Sequence, residues 1–177
     1  MQKVNKLDQL TSLRFFAALM IVYHHSTGQF GIKGISGINF GQGVSFFFVL
    51  SGFILAYVYP KLESWIEIKR FLRARVARLW PGYVASFLLG FWLAPYAWDT
   101  KIAITNLLMV QAWIPMSSYY FSYNAVSWSI STEFFFYFIF SFLIINWNST
   151  WLIKLGLSGA LLIALMYFSN ILFILTT

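Results

Sequence analysis

Long apolar runs, almost free of charge, recur along this chain at about residues 10–26, 44–59, 79–98, 126–146 and 151–177. A bilayer core about 30 Å thick takes about 20 mostly apolar residues per crossing helix, and these five runs approach that length. Charged residues make up only 10% of the sequence and hydrophobic ones 60%, with a mean hydropathy of +0.73. Soluble proteins carry about 25% charged residues, so this chain cannot clothe a water-facing surface. The expectation is an all-α, polytopic membrane bundle of about five spans. Disorder is excluded, since it needs low hydrophobicity and high charge. With Cys 0, disulfide frameworks, thiolate metal sites and cysteine nucleophiles are excluded as well. A weaker apolar stretch, residues 102–113, is too short to cross and is expected at the interface.

The net charge of +7 first suggests nucleic acid, but its placement follows membrane topology instead. With the N-terminus inside, Lys3, Lys6, Lys61, Lys69, Arg70, Arg73, Arg75, Arg78 and Lys154 fall on the cytoplasmic side. Lys33 and Lys101 fall outside, and Arg14 lies within the first run. The expected partners are therefore membrane lipids and no nucleic acid. Arg14 interrupts the first apolar run, and histidines follow it where a cleavable signal peptide would carry small residues. It reads as a retained helix. Gly28, Gly31, Gly34, Gly37, Gly41 and Gly43 crowd the next connection, which predicts a compact loop with unusual backbone angles.

Ionisable side chains in hydrocarbon cost at least about 2.5–3.5 kcal/mol each for Arg, Lys and Asp, so each such residue demands a reason. Arg14 and His25 are eleven positions apart, which is three helical turns plus about 20°, placing both on one helix face about 16 Å apart along the axis. His24 is turned about 80° from Arg14. Ala17, Ala18 and Ile21 lie between the pair and are expected to line a groove. Snorkelling of Arg14 to the headgroups is the plainer alternative. Arg75 and Arg78 are helix-surface neighbours ahead of Trp80-Pro81. Guanidinium pairs suit phosphate through their forked donors, although anchoring to anionic lipid would use the same residues. Ser51-Gly52 permits close helix approach. Trp128-Ser129 leads to Glu133, the sole acid in any run, readable as a structural charge, a proton carrier or a partner for a basic side chain.

These four elements, in this order and spacing, resemble the membrane-bound acyltransferase family three over about residues 7–143. The resemblance rests on Arg14 to His25, the approach to Ser51-Gly52-Phe53, Arg75-x-x-Arg78 before Trp80-Pro81, and Trp128-Ser129 with Glu133. It implies a single transmembrane acyltransferase domain over residues 1–177. It further implies an acyl-CoA donor, acetyl-CoA above all, held from the cytoplasm with no tightly bound cofactor and no metal. The acceptor would be an extracytoplasmic glycan or lipid-linked sugar, and the location a bacterial inner membrane. His25 would be the catalytic base with Glu133 in the catalytic group, while Arg14, Ser51, Arg75, Arg78 and Trp128 would bind substrate. The family has about ten spans, so the chain reads as an N-terminal half. Two other readings stand beside this one: a transporter with an ion path through Arg14, His25 and Glu133, and a non-catalytic truncated membrane partner.

Overall fold

The computed structural model of the protein describes residues 8–31, 35, 37–93 and 98–176; Lys3, Lys6, Lys33, Gly34 and Thr177 lie outside them. Every regular element there is helical. The helices are α1 (Asp8–Gln29), α2 (Gln42–Val58), α3 (Trp65–Leu93), α4 (Thr100–Leu107), α5 (Ser117–Tyr120), α6 (Trp128–Leu143) and α7 (Trp147–Thr176). Three described helical segments are long and apolar enough to cross a membrane: Trp65–Leu93, Ala125–Leu143 and Trp147–Phe168. At 17 residues α2 is apolar but shorter. Large apolar side chains remain open on these helices, with Leu152 at 65% and Ile163 at 70% exposure, a surface suited to hydrocarbon and not to water. The protein is an integral membrane protein.

The third helix begins about fourteen residues before its apolar run, and the local chemistry explains why. Ser64 and Glu67 form a reciprocal capping box: Glu67 N–H donates to Ser64 Oγ, and Glu67 Oε2 accepts from the N–H groups of Glu63 and Ser64. The basic cluster is thereby wound into the same helix as the apolar half, and Pro81 is carried inside it. At the end of α6, Lys154 of α7 reaches back and donates to the carbonyls of Leu143 and Ile145, satisfying acceptors a helix end leaves orphaned. Lys154 is thus a helix cap. The α2–α3 and α6–α7 connections lie side by side and line a cleft of about 380 Å³.

Helix α1 packs on α2 where Gly43 meets it. A Cβ on Gly43 would lie 2.9 Å from both the Ala17 carbonyl oxygen and Ile21 Cγ1. Ala17 and Ile21 are therefore filled by α2, and the groove expected along that strip is closed. Gly52, expected to give close helix approach, faces open space. In the glycine-rich connection Gly31 (φ 63°) and Gly37 (φ 82°) adopt left-handed angles, as expected, whereas Gly28 and Gly43 are wound into α1 and α2 and Gly41 is right-handed at φ −60°. Between α3 and α6, Leu55, Leu62, Ile68, Phe71, Tyr137 and Ile144 form the main core.

The segment from 98 to 127, which includes the weaker apolar stretch 102–113, is a packed strap joining α3 to α6. Asp99 caps α4, accepting from Lys101 and Ile102 N–H at 2.8 and 3.1 Å. Asn106 is fully buried and bonded to Tyr83 of α3, Ser122 and the Ile102 carbonyl. Ser131 of α6, also fully buried, accepts from Ala112 N–H at 3.1 Å and donates to the Met109 carbonyl at 2.8 Å. Ser131→Ala would strand both backbone groups, and each buried orphan costs about 1–3 kcal/mol. We expect a clear drop in the thermal unfolding midpoint in detergent; an unchanged midpoint would show that the strap does not depend on this serine.

Candidate active site

Four helices converge on a cavity of about 240 Å³ that collects three arginines and one glutamate. Arg14 comes from α1, Phe47, Ser51, Ile54 and Leu55 from α2, Arg75, Arg78 and Leu79 from α3, and Glu133 and Tyr137 from α6. The i, i+3 spacing sets Arg75 and Arg78 on one face of α3, as helix geometry requires. Glu133 and Tyr137 are one turn apart on α6, and the Tyr137 hydroxyl donates to Glu133 Oε1. Ser51 Oγ donates to the same oxygen at 3.1 Å, tying α2 to α6.

Arg75 is held in a different way. Its Cζ lies 5.2, 5.3 and 5.4 Å from the ring centres of Tyr59, Phe71 and Tyr137. A cation over ring faces gains about 0.5–2 kcal/mol per contact, more when desolvated. Its Nε is buried without a hydrogen-bond partner. Among the described residues the only ion pair is Lys61–Glu63, at 3.6 Å and exposed. Three arginines and one acid thus share a cavity without pairing to one another. Three positive groups against one negative leave the cavity net positive, which favours an anionic guest.

Next to this cavity an apolar cleft of about 350 Å³ runs between α2 and α6, lined by Phe48, Phe136, Ile139, Phe140 and Leu143 among others. The two share Ser51, Leu55 and Tyr137. A polar, positively charged chamber therefore opens beside a hydrocarbon-like one. That combination suits an amphipathic anion.

Comparison with known proteins fits these features. The chain matches the acyltransferase domain of family three over residues 7–177. It belongs to that family. It is also 34% identical over 156 residues to the acyltransferase MdmB of Streptomyces mycarofaciens, covering 78% of this chain and 39% of that protein. Over 82 residues it is 43% identical to protein 2 in the picA locus of Rhizobium radiobacter, covering 45% of this chain and 41% of that protein. The chain spans about two fifths of the length of these curated relatives. No solved structure matches it.

Within this chain, the cavity brings together Arg14, Ser51, Arg75, Arg78 and Glu133. It does not take in His25 or Trp128. His25 is exposed near the far end of α1, its ring edge-on to His24 at 5.5 Å between centres. Trp128 stands at the start of α6, in ring contact with Phe48 at 6.3 Å, and borders a separate recess with Ala112, Tyr120, Phe121 and Thr132. Tyr59, Phe71 and Tyr137 are site residues that the sequence analysis did not single out. The four-residue step from Glu133 to Tyr137 is the one signal that pointed to any of them.

Proposed function

We propose that the protein moves an acyl group, acetyl above all, from cytoplasmic acyl-CoA to a hydroxyl of an extracytoplasmic carbohydrate. The observation that carries this reading is the cavity in which Arg14, Arg75 and Arg78 stand without ion-pair partners among the described residues. The CoA phosphates need such cations, and forked guanidinium donors engage phosphate oxygens two at a time. The N-terminus lies on the cytoplasmic side of a bacterial inner membrane, so that the basic half of α3 meets the donor, and α1 and α2 cross with the other helices.

His25 takes the proton of the acceptor hydroxyl as that oxygen attacks the thioester carbonyl. The C–S bond then breaks, and the sulfur leaves as CoA thiol after taking up a proton. Because the thioester is already activated, no covalent enzyme intermediate is needed. Arg14 and His25 lie about 16 Å apart along α1, a length the long, thin pantetheine arm spans; because α2 covers Ala17 and Ile21, the arm passes beside that strip and not along it. The donor phosphates stay with the arginines while the acyl group reaches the histidine. Glu133, held by Ser51, stands beside the donor end without binding the donor itself, and Trp128 borders the acceptor's path. A transporter path would need Arg14, His25 and Glu133 along one route, and His25 lies outside the cavity that holds the other two.

Membranes carrying the protein should transfer labelled acetyl from acetyl-CoA to a glycan. The paired change Arg75→Lys and Arg78→Lys keeps the charge but loses the fork, and should raise the KM for acetyl-CoA about tenfold or more. Solute movement independent of acetyl-CoA, with no acetyl transfer, would replace this reading with the transporter one.

A further inference from the structure

Glu133 and the arginines line one chamber, and carboxylate–guanidinium pairing is the strongest contact open to them. They nonetheless remain apart, with no ion pair formed. One side chain touches both charges. Tyr137 donates its hydroxyl to Glu133 Oε1 and turns its ring face to Arg75, 5.4 Å from Cζ. Ser51 donates to the same carboxyl oxygen from the opposite helix. Rings attract the Arg75 cation without accepting its hydrogen bonds, so its donors stay unspent, Nε among them.

We infer that Tyr137 is a positioning residue that, with Ser51, holds Glu133 away from Arg75 and so preserves the positive charge of the cavity for an incoming anion. The ring keeps Arg75 in place and the hydroxyl keeps the acid occupied. Without the hydroxyl, Glu133 swings to Arg75, the two neutralise each other, and the anionic donor loses its seat. This inference rests on the donor-binding reading above.

Calorimetric titration of CoA into the detergent-purified protein tests it without requiring turnover. Tyr137→Phe keeps the ring and should weaken CoA binding about tenfold, the scale of one charge-assisted hydrogen bond. Glu133→Gln should bind CoA at least as tightly as the unaltered protein, because the competing charge is gone. The decisive comparison is Tyr137→Phe combined with Glu133→Gln, which should bind like Glu133→Gln alone. Ser51→Ala offers an independent route that spares the aromatic core. It should weaken binding in the same direction, and that effect too should vanish in the Glu133→Gln background. A Tyr137→Phe protein that binds as tightly as the unaltered one overturns the inference, and so does a double variant as weak as Tyr137→Phe. If the unaltered protein fails to bind CoA, the donor-binding reading itself falls, a result distinct from either of those.

Discussion

His25→Ala is expected to lower acetyl transfer about 10²- to 10⁴-fold, the range over which a positioned general base contributes. Insertion and folding should be unaffected. The imidazole is exposed near the end of α1, and the ring contact found for it is with neighbouring His24. Its removal therefore costs little packing. His24→Ala is the matched control. The His24 ring packs against the start of α2, within 3.4 Å of where a Cβ on Gly41 would sit, so its loss should loosen that corner while leaving most of the activity. Transfer measured beside a protease-accessibility assay for insertion separates the two outcomes. Transfer that survives His25→Ala with the protein inserted normally removes His25 as the base.

A second large effect is expected at Gly43, this time on structure. Even alanine there would press its methyl to 2.9 Å from the backbone oxygen of Ala17, and a backbone atom cannot rotate aside. Overpacking of this kind costs about 1–3 kcal/mol, and Gly43→Val should cost more because its branches meet Ile21. The predicted result is a lower unfolding midpoint together with weaker CoA binding, because displacing α1 carries Arg14 out of the cavity. Gly52→Ala, with nothing within 4 Å, should change neither quantity. Equal stability of Gly43→Ala and Gly52→Ala would show that α1 does not rest on Gly43.

The helical nature of the chain was legible because a bilayer leaves an apolar run few alternatives. Boundaries were less legible. The third helix reads as starting near residue 79 if hydrophobicity alone is followed, whereas the Ser64–Glu67 capping box starts it at Trp65. The members of the charged cavity stood out for the same energetic reason as the spans: Arg14 and Glu133 are costly in hydrocarbon unless something receives them. Tyr59, Phe71 and Tyr137 had no such signature. Aromatics are 21% of the sequence, and a ring that cradles a cation looks, residue by residue, like one that faces lipid. Glycine misled in a similar way, since Gly52 reads as the point of close helix approach and Gly43 as part of a loop, and packing reverses the two. The strap was hidden because its buried amides, Asn106 and Gln111, sit in a stretch whose short apolar pattern suggests the membrane surface.

That strap inverts the usual expectation about where such a protein can drift. On the outward faces of its long helices, one oily side chain serves nearly as well as another, and neutral exchange there should be nearly free. Between Asp99 and Ser131, by contrast, amides, hydroxyls and indoles interlock one partner at a time, as where Trp80 Nε1 donates to the Leu107 carbonyl at 3.0 Å and Trp113 Nε1 to that of Ser131 at 3.1 Å. A library of random replacements selected for folding should accordingly show its narrowest sequence freedom in the piece that looks most like a mere connector.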